Sequence, residues 1–300
     1  MPWKLTGLDM ERVIKALSLT PPSAAETIFF FGVRGAVPKN SSPYLAVLDG
    51  SKPTNGENMR CALGQWWPHD KLESASKIAV YLGSTVPTDR YVEAASDRGG
   101  QGTNLLLPGL YTFIRGQHRA GTPTGHAAFR ELGDKLICRT ADDGLYEPDS
   151  DFVGIDEPCD NIHAAWSVAS SKAPWGDDGY SSAGCQVVAG KPGEGAWAAF
   201  KAKGYEKGLG VYRYLLLPSS NWVHLVTTGE PAVVIGSRGD RAKAVQQALI
   251  DRGLLAGSAD GIFGCKSGLA LVKFQRARPE LPASAICTAT VAGLLGVVGW

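Results

Sequence analysis

A histidine and a cysteine on either side of a polar loop form the part of this sequence best suited to chemistry. His163 precedes a loop rich in Gly, Ser and Asp, and Cys185 closes the run S-S-A-G-C at residues 181–185. A nearby imidazole can accept the thiol proton and so produce the thiolate that attacks an amide. The glycine before the cysteine lets the backbone approach a carbonyl and direct N–H groups at the developing oxyanion. Taken alone, such a pair favours a buried structural cysteine, so the surrounding pattern decides the interpretation.

That surrounding pattern resembles the active site of the L,D-transpeptidase (YkuD-type) family, in which a histidine, a loop and S-x-G-C precede an apolar strand. The resemblance implies that Cys185 is the nucleophile and His163 its base. It further implies that the backbone amides of Gly184 and Cys185 bind the oxyanion, with Ser182 as the supporting serine. The sequence departs from the family pattern at Ala183, where the family usually has histidine. The implied reaction is acyl transfer at a stem-peptide amide, through a thioester that water or an amine resolves.

The remaining histidines supply alternatives for the site. His118 follows a predicted strand and is a candidate substrate-site residue, whereas His69 and His126 are predicted to lie in surface loops. His224 comes after Cys185 in the chain, which is the order used by papain-like or NlpC-type wall peptidases, and it is the alternative base. In such an enzyme the cysteine opens a helix, but the residues that follow the cysteine here favour a strand.

Short strands separated by Gly- and Pro-rich turns must position these residues. Over residues 26–228 this pattern predicts a mainly β catalytic domain, and the resemblance implies an L,D-transpeptidase-like β-sandwich. A helix is predicted at 195–203, where Trp197 and Phe200 share a face. Residues 1–25 are predicted to form an N-terminal helical segment in which Asp9 caps the helix. The strand candidates are 27–33, 44–48, 77–82, 109–114, 135–139 and 211–217.

The periodicity becomes helical from residue 236 onward. A D-G-I-F-G turn at 260–264 is followed by S-x-x-A-L-x-x-F-Q at 267–275. This ordered set resembles the three-helix peptidoglycan-binding domain found on many wall hydrolases. The resemblance implies that 236–300 is a small all-α domain that binds peptidoglycan, reached through a linker or closing strand at 227–237. The predicted helices are 242–252, 266–276 and 288–295.

Composition and motifs exclude several other classes. A net charge of +1 gives no global attraction for nucleic acid. The sequence contains no C-x-x-C, H-E-x-x-H or G-x-S-x-G pattern, so neither a metal nor another cofactor is predicted. The N-terminus lacks a secretory signal, and no apolar run is long enough to span a bilayer. The expected protein is made in the cytoplasm without a signal peptide and acts in the bacterial periplasm or cell wall.

These observations predict a degradative peptidoglycan enzyme, such as a phage endolysin or an injected antibacterial effector. Its expected partner is peptidoglycan, and an effector would also meet delivery machinery or an immunity protein. Two other classes stay open. One is a different wall hydrolase, either a peptidase that pairs Cys185 with His224 or a lysozyme-like glycosidase. The other is a non-catalytic wall-binding structural protein of a phage or an injection device.

Overall fold

The computed structural model describes residues 2–51, 54–73, 75–97, 102–140, 151–166, 180–205 and 209–300. Within these residues the chain forms fourteen strands and seven helices, a mixed α/β fold in which strands dominate. All six predicted strands and the helix predicted at 195–203 are present, so the prediction of a strand-rich region is confirmed.

Eight strands close into a barrel. Neighbouring strands run antiparallel except for two parallel pairs, β12 with β13 and β14 with β2. In order around the barrel the strands are β12 (Asn161–Ala164), β13 (Gln186–Val188), β6 (Ala75–Ser84), β5 (Cys61–Leu72), β2 (Phe29–Arg34), β14 (Tyr212–Pro218), β8 (Gly109–His118) and β9 (His126–Leu132).

The barrel corrects the arrangement expected from the sequence, which was two packed sheets. Closure depends on β12 and β13, which have only four and three residues. Because β12 pairs with β9 on one side and β13 pairs with β6 on the other, these two short strands join the ends of one continuous sheet. Closing a sheet in this way removes its unpaired edges.

Strands β2 and β14 are buried on both faces over most of their length, which explains the apolar runs at 29–33 and 214–217. Phe30 and Tyr214 belong to a cluster that draws side chains from all eight barrel strands. Their neighbours along the chain, such as Phe31 and Leu215, belong to a second cluster on the opposite face. Helix α3 (Gly195–Gly204) packs onto the first cluster through Trp197, among others.

Two three-stranded sheets flank the barrel. One sheet consists of β1 (Pro2–Thr6), β4 (Leu45–Asp49) and β3 (Val37–Ser42), in that order. The other consists of β11 (Phe152–Asp156), β10 (Lys135–Thr140) and β7 (Thr103–Leu106). Two further helices, α2 (Asp89–Asp97) and α4 (Ser219–Thr228), complete this part of the chain. Across the described residues, none of the helices has the length and apolarity needed to cross a membrane.

The N-terminal segment is only partly helical. Residues Pro2–Thr6 pair with β4 as a strand, so helix α1 spans Gly7–Ala16 and the prediction of one helix from residue 1 is wrong there. Thr6 is the N-cap, and Asp9 completes a capping box because it accepts the Thr6 N–H at 2.9 Å. Asp9 therefore takes part in capping from the third position of the helix, whereas the N-cap itself is Thr6 and not Asp9 as predicted.

Three helices follow residue 236, close to their predicted bounds. They are α5 (Asp240–Asp251), α6 (Cys265–Arg276) and α7 (Ala289–Leu295), and they share a cluster that includes Phe263 and Phe274. Helix α6 also reaches the neighbouring sheet, since Val272 packs in one cluster with Leu136 of β10. The helical region therefore shares part of its core with the strand-rich region.

Candidate active site

The proposed nucleophile and base lie at the seam between the parallel strands β12 and β13. His163 pairs with Val187 in register, and Cys185 directly precedes β13. This arrangement agrees with the strand–loop–strand geometry expected from the sequence, and it places Cys185 at the start of a strand. The intervening polar loop, predicted between His163 and Cys185, lies almost entirely outside the described residues.

His118 joins the pair from strand β8. Its ring stacks on that of His163, with centroids 3.9 Å apart and planes 10° apart. One ring nitrogen from each of these histidines and the Cys185 sulfur all lie within 4.8 Å of one another. The candidate substrate-site residue is therefore in direct contact with the proposed base.

A backbone carbonyl determines which ring nitrogen of His163 carries the proton. Because a carbonyl oxygen only accepts, the Nδ1–H of His163 must donate to Ala164 O, at 2.7 Å. The other nitrogen, Nε2, then carries the lone pair that can accept a proton. Burial, followed by the neighbouring His118 and His126, lowers the pKa of His163 well below its usual value. Burial also lowers the pKa of His118 to about 4, so both imidazoles are neutral at neutral pH.

The Cys185 side chain is buried, with a relative exposure of 8%. Its sulfur accepts the backbone N–H of Asn161 at 3.3 Å, a contact that favours a negative charge on sulfur. Burial raises the pKa of this thiol, and the nearby Asp160 carboxyl acts in the same direction. The thiol is therefore protonated at neutral pH until a base takes its proton.

Ser182 closes a tight turn around the nucleophile. Its hydroxyl donates to Cys185 O at 2.7 Å and accepts the Gly184 N–H at 3.1 Å. Ser182 therefore supports the turn, as the resemblance implies, but it also occupies the Gly184 amide that was expected to bind an oxyanion. The Cys185 amide is the remaining backbone donor of the expected pair. Next in the chain, the Gln186 side chain donates to Gly184 O at 3.1 Å and ties the turn to β13.

Two carboxyl groups lie beside this turn, a buried one on Asp160 and a half-buried one on Glu131. Asp160 is 5% exposed, and a Cβ placed on Gly184 would lie 2.4 Å from its Oδ1. Burial, and next the neighbouring Glu131, raise the pKa of Asp160 well above its usual value. Burial likewise raises the pKa of Glu131. Burial therefore disfavours the charged form of both carboxyl groups beside the thiol.

His126 is the residue of the site that the sequence prediction missed. It was predicted to lie in a surface loop, but it is buried at the start of β9, with its ring centroid 5.4 Å from those of His118 and His163. The signal was the G-T-P-T-G run at 121–125, which is typical of a hairpin turn. Once the hairpin is recognised, His118 and His126 become a directly opposed cross-strand pair.

His224 lies on helix α4 and is half exposed, and its Nε2 contacts Glu230 Oε2 at 3.0 Å. The histidines that contact one another around Cys185 are His118, His126 and His163. The geometry thus favours His163 over His224 as the partner of Cys185. His69, at the outer part of β5, is exposed as expected.

Comparison with known proteins does not assign this chain to a family. No protein-family model matches the chain, and no curated protein or solved structure is significantly similar to it. The functional argument therefore rests on the site itself.

Proposed function

We propose that this protein is a cysteine enzyme that attacks stem-peptide amides of bacterial peptidoglycan through Cys185. The observation that carries the proposal is the hydrogen bond from His163 Nδ1–H to Ala164 O, beside the Cys185 thiol. Together, Cys185, His163 and Ala164 O provide the three parts that nucleophilic catalysis requires. These are a nucleophile, a base with a ring nitrogen within 4.8 Å of the sulfur, and a group that orients the base. The same arrangement is what the resemblance to L,D-transpeptidases implies.

In the proposed first step, the thiol sulfur attacks the carbonyl carbon of the amide while His163 Nε2 takes the thiol proton. Because burial holds the thiol protonated, transfer of this proton accompanies the attack and does not precede it. In this step the Cys185 N–H would stabilise the oxyanion, as the resemblance implies. His118, stacked on the base, restricts the rotation of the imidazole.

In the proposed second step, the protonated His163 gives its proton to the leaving amine, and a thioester remains on Cys185. Water or a second amine then attacks the thioester and restores the thiol. Water gives an L,D-carboxypeptidase or endopeptidase, and an amine gives exchange or a cross-link. We favour the hydrolytic outcome, in keeping with a phage lysin or an injected antibacterial effector.

Peptidoglycan is the proposed substrate because of the C-terminal helices. The turn at 260–264 and the residues of α6 reproduce the pattern that resembles a peptidoglycan-binding domain. A binding module in the same chain would raise the local concentration of the enzyme on an insoluble substrate.

The test is digestion of purified peptidoglycan by the wild type and four variants, with mass spectrometry of the released fragments. Cys185→Ala should abolish cleavage, and His163→Ala should reduce it by roughly 10²–10⁴-fold, the usual contribution of a general base. His224→Ala and Cys159→Ser are matched controls on exposed residues and should cleave at the wild-type rate. Full activity of Cys185→Ala would contradict the proposal. A wild type that sediments with sacculi but releases nothing would instead identify a wall-binding protein.

A further inference from the structure

The side chains around Cys185 have the composition of a transition-metal site. In the described part of the chain, His118, His163 and Cys185 form the one set of three ligating side chains whose donor atoms come within 4.8 Å. Imidazole nitrogen and thiolate sulfur are the ligands that zinc prefers, and this set of described residues offers nitrogen and sulfur donors, whereas calcium and magnesium require oxygen donors.

Two of the histidines are oriented as metal ligands usually are. His163 donates its Nδ1–H to Ala164 O at 2.7 Å, and His126 donates its Nδ1–H to Thr124 O at 2.9 Å. A metal-binding histidine commonly donates its second nitrogen to such a carbonyl, which fixes the ring and leaves the other lone pair for the ion. In both residues the free lone pair is on Nε2.

An unsatisfied buried nitrogen gives independent support. His126 Nε2 is buried and has no hydrogen-bond partner among the described residues. Its lone pair is therefore left without a proton or a donor, which is unfavourable for a buried polar group. A bound cation would accept that lone pair.

The amide of Asn161 accommodates the third histidine. Its Nδ2 lies 3.1 Å from His118 Nδ1, and its Oδ1 is buried without a partner. Half a turn about the last bond of the side chain would present Oδ1 to a protonated Nδ1. His118 Nε2 would then also carry a free lone pair.

We propose that His118, His163 and Cys185 bind one divalent ion of the zinc class, with His126 as the fourth ligand, and that this ion inhibits the proposed enzyme. Bonds of about 2.0–2.3 Å in a tetrahedral site place neighbouring ligand atoms roughly 3.3–3.6 Å apart. The donor atoms of His118, His163 and Cys185, now within 4.8 Å of one another, must therefore draw together, and one of the two stacked rings must turn so that both lone pairs point at the ion. His126 must approach from outside this set. The thiol releases one proton to solvent as its sulfur binds the metal, and no electron is transferred.

Inhibition follows because the ion uses the same atoms as the reaction. A metal-bound Cys185 sulfur is not free to attack a carbonyl, and a metal-bound His163 Nε2 cannot accept a proton. Only this inhibitory consequence rests on the proposed function. The metal site itself does not depend on it.

The binding test uses metal-free, reduced full-length protein titrated with Zn²⁺ in a calorimeter, and with Co²⁺ as a spectroscopic probe. We expect one ion per chain and a sulfur-to-cobalt charge-transfer band. Cys185→Ser should lose the band, and His126→Ala should weaken binding by at least the roughly 10–100-fold that loss of an outer-shell partner costs. His224→Ala and Cys159→Ser should bind as the wild type does. Equal affinity of wild type and Cys185→Ser would overturn the site.

A second measurement uses only the wild-type protein, so it does not depend on whether the variants fold. Alkylation of Cys185 in the wild type, followed by mass spectrometry, should slow when Zn²⁺ is added and recover with a chelator. An unchanged alkylation rate under saturating Zn²⁺ would overturn the proposal. Activity assays separate the two hypotheses. If the protein binds metal but the metal-free protein does not cleave peptidoglycan, the metal site is supported and the proposed enzyme activity is contradicted. If the protein cleaves peptidoglycan and Zn²⁺ does not change the rate, the proposed inhibition is contradicted.

Discussion

At the scale of single residues, Gly184 is the position where the backbone of the site depends most on its residue type. Its φ of +149° is a conformation that side-chain-bearing residues rarely adopt. A Cβ there would also lie 2.4 Å and 2.7 Å from the two carboxyl oxygens of Asp160. The conformation therefore requires glycine, and any larger residue must displace either the carboxyl group or the turn that carries Cys185.

Gly184→Ala tests this dependence. We expect the variant to lose about 1–3 kcal/mol in free energy of unfolding, the usual cost of a strained backbone position, and to lose most wall cleavage because the nucleophile moves. Urea unfolding and peptidoglycan digestion measure the two effects. Gly210→Ala is the matched control, since Gly210 is exposed and a Cβ there meets nothing within 4 Å. If both variants behave as the wild type, the turn is not as constrained as its geometry indicates.

The sequence could predict that a cysteine and histidines form the candidate site, but it could not predict every residue that lies there. Cys185 and His163 could be proposed from the sequence because a local motif contains them, and His118 could be proposed because it follows a recognisable strand. His126 and Asp160 could not, since their places depend on hairpin register and on the packing of one turn against another. The G-T-P-T-G run at 121–125 indicates the hairpin, but it does not show that His126 meets His163, and the packing of Asp160 against Gly184 leaves no local signal in a single sequence.

At the scale of elements, two buried glutamines explain part of the C-terminal pattern. Gln246 on α5 donates to Asp260 Oδ1, Ile262 O and Ser267 Oγ and accepts the Gly261 N–H at 2.8 Å. It thus holds the D-G-I-F-G turn against the helix. Gln275 on α6 acts similarly, since it accepts the N–H groups of Ser284 and Ala285 and donates to Ile286 O. The glutamines of the pattern have a structural role that stands apart from any ligand.

Gln246→Ala should therefore destabilise the protein. The change leaves the Gly261 N–H and the Ile262 carbonyl without their partner, and each unsatisfied buried group costs about 1–3 kcal/mol. A lower urea midpoint with an unchanged slope would show this loss. Gln247→Ala is the matched control, because Gln247 is exposed and contacts only Asp251 on the same helix among the described residues. An equal midpoint for the two variants would argue against the structural role.

Strand β5 shows why the fold was only partly predictable. Its sequence contains Gly64 and Pro68, two turn signals, so no strand was predicted there. In the structure Gly64 makes room for the ring of Phe31, since a Cβ would lie 2.0 Å from it. Pro68 falls where the β5–β6 register shifts, and a bulge tolerates a residue without an N–H. Both residues serve tertiary packing that a local pattern cannot reveal.

At the scale of the whole molecule, three consecutive residues join the helical region to the strand-rich region. Val233 belongs to the cluster of the C-terminal helices, Val234 to the cluster that contains Phe31 and Leu215, and Ile235 to the cluster that contains Phe30 and Tyr214. Residues 232–235 of the segment predicted as a linker or closing strand are therefore buried, whereas residues 227–230 are exposed. Isolated bridges pair Val233 with Cys287 and Ile235 with Gly109. The contacts of one short segment thus couple the three cores.

This coupling predicts that damage to the helices spreads to the sheet beside them. Phe274→Ala should cost about 3–5 kcal/mol, as for other buried aromatic side chains, because Phe274 is 1% exposed in the helical cluster. Since Val272 on the same helix packs with Leu136, the amides of β10 should also exchange hydrogen faster in this variant. Hydrogen exchange followed by mass spectrometry measures this. Val298→Ala, at a side chain 93% exposed, should change neither region. Faster exchange confined to α5, α6 and α7 would mean that 236–300 unfolds as an independent unit, as the sequence pattern alone suggests.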